Sequence, residues 1–230
     1  LRANKIGSEC FRLWKACDAQ VGDDFHINPE EIEAKYFGVL TKLFNVARFA
    51  SQFDSPEDLD TIPTDLSIED RWILAEFAST MEKVEKGWTE LDIYTATQAL
   101  KTFGTGILPS HWLEMSKSRL YDGDTSAAWT IHRIVRDLMS ALSPVCPFFT
   151  HHISKSLYNF SAVDIREFPA RTPTDDSLRQ LTAAIEEFNG STWKAKKEAG
   201  LSLNVPISGI IIPENLHEFT SILTQMHKLE

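Results

Sequence analysis

Residues 115–118 read Met-Ser-Lys-Ser, two hydroxyls on either side of an ammonium, a side-chain set that can hold a phosphate. Its surroundings argue for a helix rather than a mobile loop. Ile107, Leu108, Trp112, Met115 and Leu120 recur at near-helical intervals, and no G-x-x-x-x-G-K-[ST] loop occurs in the chain. The expectation is a patch of Ser and Lys on a helix surface. Cys146, His151 and His152 are zinc-ligand types, but adjacent histidines on a helix point about 100° apart and no second pair of thiols or acids accompanies them. Asp23, Asp24 and His26 precede Glu30, Glu31 and Glu33, yet the calcium-loop spacing is missing and the glutamates read as a helix start. Neither Cys10 nor Cys17 has a histidine close by in sequence, and no G-x-S-x-G elbow exists. We assign no catalytic residue, no metal ligand and no cofactor site to these residues.

Binding chemistry is better represented. Lys42, Asn45 and Arg48 are spaced three apart and flanked by Phe44 and Phe49; Arg71-Trp72 opens a later helix; Lys117 and Arg119 close another. Trp193 stands directly before Lys194-Ala195-Lys196-Lys197, a compact basic cluster. Positive and aromatic side chains together hold phosphates and stack on unpaired bases. Arg48 equally suits an ion pair with an acid on a neighbouring helix. The chain has 230 residues and a net charge of -10, from 23 Lys and Arg against 33 Asp and Glu, which excludes broad non-specific nucleic-acid binding but not a local stripe.

These residues need helices to position them. Asn28-Pro29-Glu30-Glu31 starts one, with a cap, a proline at the first turn and acids at the positive dipole end; Ile32, Tyr36, Val39, Leu40, Leu43, Phe44, Ala47 and Phe49 then mark an apolar face. Ser67 and Asp70 resemble a capping box for a helix running to about Lys86, with Gly87 ending or bending it. Gly104, Gly106 and Pro109 should kink or split the next helix before Trp112. Thr125–Leu142 is helical, Ser143-Pro144 and Cys146-Pro147 interrupt it, and it resumes over 149–157. A further helix covers 175–199, Val205–Pro213 reads as a strand needing a partner such as 164–168, and a last helix covers 215–226. The fold class is mainly α: an antiparallel helical bundle over 1–160, a linker over 161–174 and a small α+β unit over 175–230. The three cysteines, Cys10, Cys17 and Cys146, lack disulfide density and suggest buried thiols in a reducing, cytoplasmic setting. No apolar run is long enough to span a membrane, and the first residue, Leu1, suggests a piece of a longer chain.

The same segments carry a family resemblance. Ile6-Gly7-Ser8-Glu9-Cys10-Phe11-Arg12-Leu13-Trp14 resembles the Y-G-A-D-A-L-R-x-W segment that follows the catalytic domain of class I tRNA ligases for branched aliphatic amino acids. Thr41-Lys42-Leu43-Phe44-Asn45-Val46-Ala47-Arg48-Phe49 is similar to their N-K-L-W-N-A-A-R-F helix, and Asp70-Arg71-Trp72-Ile73-Leu74 matches D-R-W-I-L. Leu113–Tyr121 parallels L-E-L-V-K-P-R-L-Y, and Pro144–Thr150 parallels P-F-M-P-F-I-T. Trp193–Ile207 resembles the tail of the archaeal-like valine enzymes. By this resemblance the Met-Ser-Lys-Ser run lies in the anticodon-binding bundle, and the family's similar ATP loop falls before Leu1. The chain departs from the pattern at Gly104–His111, where the family has F-W-H-E-F-C-D-W, and at His151 and His152, where it has acids.

The resemblance implies an anticodon-binding bundle that holds tRNA, specifically valine tRNA, and works beside a catalytic domain of the same chain. That domain would use ATP and Mg to form valyl adenylate. It also implies a monomer, with no membrane partner. Two alternatives from the residues stay open: a non-catalytic helical protein-interaction module and a diverged synthetase-like paralogue.

Overall fold

The computed structural model describes residues 7–18, 22, 27–160, 168–170, 172 and 175–230. Helices dominate it: α1 Ser8–Cys17, α2 Pro29–Ala50, α3 Ile68–Glu90, α4 Ile93–Thr102, α5 Leu113–Tyr121, α6 Thr125–Leu142, α7 Pro147–Tyr158, α8 Thr182–Glu198 and α9 Thr220–His227. A π-helical section, Phe103–Trp112, joins α4 to α5, and 3-10 turns Asp176–Leu181 and Glu214–Phe219 lead into α8 and α9. None of these helices is long and apolar enough to cross a membrane. The acid cluster at Asp23, Asp24 and His26, most of the expected linker and most of the expected strand partner at 164–168 lie outside the described residues.

Local chemistry fixes the helix starts. Asn28 Oδ1 accepts from the Glu30 and Glu31 amides at 3.2 and 3.4 Å, with Pro29 at the first turn of α2. Asp124 Oδ1 accepts from the Ser126 and Ala127 amides at 2.9 and 3.0 Å at the head of α6. At α3 the Asp70 amide donates to Ser67 Oγ at 3.4 Å, while the Ser67 hydroxyl donates to Asp70 Oδ2 at 2.8 Å. The Asp of this capping pair therefore meets the side chain of the cap residue.

Two glycines mark close crossings rather than ends. Gly87 lies inside α3, where a Cβ would stand 2.8 Å from the Asp92 carbonyl and 2.9 Å from Ala96 Cβ, so α4 can fold back directly on α3. The helix ends instead at Leu91, which takes a left-handed conformation with φ 60°. Gly104 admits Leu43 of α2, whose Cδ2 would come within 2.7 Å of an added Cβ. The expected break near Pro109 is absorbed differently. Backbone angles stay helical at both ends of the π section, and the wider turns leave room for a residue with no N–H to donate.

Helix α6 is the axle of the bundle, buried around nearly its whole circumference and packed on α2, α3, α4, α5 and α7. One hydrophobic core runs from Cys10 and Trp14 through Trp72, Trp112 and Leu138 to Ile185, Phe219 and Leu223, so residues 175–230 share it.

The strand expected at 205–213 is not formed, and no strand occurs among the described residues. Ile207 makes one parallel bridge to Leu229, with Ile207 N donating to the Lys228 carbonyl at 3.0 Å and Glu230 N to the Ile207 carbonyl at 3.1 Å. Pro206 has no N–H, and Gly209, at φ 79°, turns the chain two residues after the bridge. The branched side chains serve packing instead, with Ile210 and Ile212 against the core and Ile211 outside it.

Arg119 ties three helix ends together. Its guanidinium donates to Ser67 Oγ at 2.6 Å, Glu69 Oε1 at 2.7 Å, Asp70 Oδ2 at 2.7 Å, Ser126 Oγ at 3.0 Å and Asp124 Oδ2 at 2.9 Å. Trp112 Nε1 donates to the other Asp70 oxygen at 3.1 Å. Burial alone would make the guanidinium easier to deprotonate; the Asp70 hydrogen bond and charge, with Asp124 and Glu69, outweigh it and hold its pKa above the ordinary value. Removing one partner of such a buried set leaves uncompensated charge and costs about 3–5 kcal/mol. Arg119→Met should lower stability by that order, read as the midpoint of urea unfolding at pH 7, whereas Arg48→Met on the surface of α2 should shift it by less than about 0.5 kcal/mol.

A second polar chain joins the C-terminal residues to the π section. Asn189 Nδ2 donates to His111 Nδ1 at 2.9 Å, and Asn189 Oδ1 accepts from His227 Nε2 at 2.7 Å. The first bond needs a lone pair on His111 and so a neutral ring. Burial, then the charge of Lys196, pushes His227 down to about 4; burial also lowers His111, with Glu186 opposing at 3.9 Å. Between the ordinary histidine pKa of about 6.5 and these depressed values, the unfolded chain binds protons that the folded chain does not. Stability should therefore be level above pH 6.5 and fall as the pH drops through about 4, and His227→Gln should flatten that slope in thermal melts taken from pH 7.5 to 4.

Candidate nucleic-acid interface

Helix α2 divides cleanly into two faces. Ile32, Tyr36, Leu40, Leu43, Val46, Ala47 and Ala50 are buried, and Phe37, Thr41, Lys42, Phe44, Asn45 and Arg48 are exposed. At about 100° per residue, Phe37, Thr41, Phe44 and Arg48 fall within a sector of roughly 60°, with Asn45 and Lys42 curling away along one side. The side chains of Lys42, Asn45 and Arg48 have no hydrogen-bond or ion-pair partner among the described residues. The ion pair considered for Arg48 is absent among them, which leaves its guanidinium available to a ligand. Phe49, in the last turn of α2, and Phe53, just beyond its end, meet edge-on, with centroids 5.1 Å apart. Tyr121, at the end of α5 and 64% exposed, stands edge-on to both at 6.2 and 5.5 Å. The face is thus cationic and aromatic at once, the pairing that grips backbone phosphates and stacks on unpaired bases.

Several candidates turn inward. Trp72 is fully buried, donates from Nε1 to Thr182 Oγ1 at 2.8 Å and meets Phe219 edge-on at 6.4 Å. It anchors the C-terminal residues to α3 and offers no stacking surface. Arg119 is committed to the network described above. Lys196 is also buried, its ammonium donating to the carbonyls of Leu203 and Val205 at 2.7 and 2.8 Å. Burial, and then the charge of Lys228, lowers its pKa. The basic cluster is reduced on the surface to Lys197, without a side-chain partner among the described residues, and Lys194, 3.9 Å from Glu198. Trp193 is half-buried and stacked on His111 with centroids 5.7 Å apart.

Arg71 is exposed at the head of α3. In the Met-Ser-Lys-Ser run on α5, Met115 and Ser116 are buried and Lys117 pairs with Glu114 one turn away. That leaves no cluster of hydroxyls around a free ammonium. Cys146 is buried while His151 and His152 are exposed, so the three do not converge. A cleft of about 720 Å³ between α1, the α3–α4 turn and Pro144 is lined by Phe11, Arg12, Trp88, Leu91 and Ile93. Its lining is mixed, with Lys15, Glu90 and Asp92 at the same cleft.

The sequence reading missed Phe37 and Tyr121. The signal was there for Phe37, an apolar residue that falls out of phase with the buried set on α2. Nothing local marked Tyr121, whose neighbours come from α2 and the loop after it.

Residues 70–211 match the model of the family described as the anticodon-binding domain of tRNA ligase. Similar proteins include the valine-tRNA ligase of Saccharolobus solfataricus, 32% identical over 90% of this chain and 25% of that protein. The valine-tRNA ligase of Aeropyrum pernix is 30% identical over 97% of this chain and 28% of its own length, and that of Pyrobaculum aerophilum 28% identical over 98% and 29%. The chain spans about a quarter of the length of these relatives. With a match over more than half its residues and a helical bundle to carry it, the chain belongs to the anticodon-binding domain family of tRNA ligases.

Proposed function

We propose that the outward face of α2 grips the anticodon stem-loop of a tRNA, with Arg48 and Lys42 on phosphates and Asn45 offering donors and acceptors to a base edge. The observation that carries this reading is the set of three polar side chains without partners among the described residues, on a face flanked by exposed aromatic rings, in a chain of net charge -10. Such a surface attracts RNA locally while the rest of the protein repels it. The relatives favour valine tRNA as the cognate species. In that setting a monomeric, cytoplasmic ligase would activate valine with ATP and Mg on a catalytic domain outside these residues. The bundle would fix the far end of the tRNA so that its acceptor end reaches that domain. In this proposal residues 1–160 form the bundle, 161–174 a link, and 175–230 a C-terminal unit seated on the bundle's core.

Filter binding with tRNA transcripts tests it. Valine tRNA should outcompete other species at moderate salt. Arg48→Gln with Lys42→Gln should weaken binding by at least about tenfold, and should flatten the slope of log affinity against log salt by roughly 0.7–0.9 per lost phosphate contact. The melting temperature should not change. Lys194→Gln with Lys197→Gln measures the contribution of α8, and Lys196 is left in place because its replacement would unseat residues 203–205. Unchanged binding and slope in the α2 double variant would overturn the assignment of the site.

A further inference from the structure

We propose that Phe37 is a base-stacking residue at the outer end of this site, so that α2 takes up a run of unpaired nucleotides extending from Arg48 to Phe37; this rests on the RNA-binding reading above. The ring is 64% exposed, and Phe44, two turns further on, is 41% exposed. Neither ring packs against the core, although every other phenylalanine of α2 and the loop after it does. Seven residues at 1.5 Å each separate the two rings by about 10 Å along the axis, and Arg48 lies about 16 Å from Phe37, a span suited to two or three extended nucleotides. Between the rings, Thr41 presents a hydroxyl. Beside Phe37, Ala34 is small and exposed, and a Cβ built on Gly38 meets nothing within 4 Å, so the flank of the ring is open to a flat group.

Charge gives the strip a direction. Lys42 and Arg48, without side-chain partners among the described residues, sit toward its C-terminal half, whereas Glu30 and Glu33 are exposed within two turns before Phe37. Phosphates are drawn to one end and repelled from the other, so the ring at the repelling end can accept a base while the backbone passes no further. This polarity favours RNA over a protein helix, whose apolar stripe would seat on Phe37 and Phe44 without regard to where the cations lie.

The test uses an RNA hairpin with a seven-nucleotide loop and the same stem closed by four nucleotides. Phe37→Ala should weaken binding of the larger loop by about 5- to 150-fold, the range for losing one aromatic–base stack. It should leave the salt slope and melting temperature as they are and have little effect on the small loop. Phe37→Trp should restore affinity, and its added fluorescence should be quenched by the large loop. If Phe37→Ala binds as the parent while Arg48→Gln is weakened, the inference falls and the RNA reading stands. If the parent binds neither hairpin, both fall. If Phe37→Ala leaves RNA binding intact but abolishes self-association in sedimentation, the ring is a protein contact and the inference is overturned.

Discussion

The bundle depends on one buried charge cluster. Arg119 lies where the head of α3, the end of α5 and the head of α6 converge, and Asp70, wholly buried, accepts from both Arg119 and Trp112. Helix ends bring unpaired backbone groups and net partial charge into contact, so three of them can meet only where side chains neutralise both. Ser67 and Asp124 cap backbone amides and accept from the guanidinium at the same time, and Ser126 accepts from it while its hydroxyl donates to Asp124. This is why a residue with the composition of an RNA contact ends up as a structural tie.

A comparable arrangement holds the loop after α2. Arg133 on α6 donates to the Leu59 carbonyl and the Ala170 carbonyl and pairs with Asp137, while Arg136 reaches Asp60 at 2.8 Å. His132 and Tyr158 add bonds to the Phe53 carbonyl and to each other. The axle helix therefore carries an arginine-rich side that fastens the loop whose Phe53 completes the aromatic group beside α2. Rigidity around the exposed face comes from these buried bonds, which leaves the surface cations uncommitted.

Periodicity made the helices legible, because burial repeats every three or four residues whatever the partner. Caps at Asn28 and Ser67 could be read for the same local reason. The outward Lys42, Asn45 and Arg48 were also readable, since they fall between the buried positions of α2. Trp72, Arg119 and Lys196 were not, because their partners lie between 5 and 110 positions away and no local pattern announces a carboxylate or carbonyl arriving from elsewhere. The β-branched run at 205–213 misled for a related reason. Such residues favour any half-buried surface, and here Pro206 removes one amide while left-handed Gly209 turns the chain two residues after the single bridge at Ile207.

The π section between α4 and α5 acts on everything downstream of it. With more residues in each turn than an α-helix, Phe103–Trp112 rotates the chain less per residue and so sets the azimuth at which α5 begins. Dropping or adding one residue there would turn α5 by somewhat less than the roughly 100° of an α-helical residue, still about a quarter of a turn. Arg119 would then face away from Asp70, and Tyr121 away from Phe49 and Phe53. The segment is in effect a phase-setting coupler, and its length, more than its composition, determines where the charge cluster and the edge of the aromatic surface come to lie.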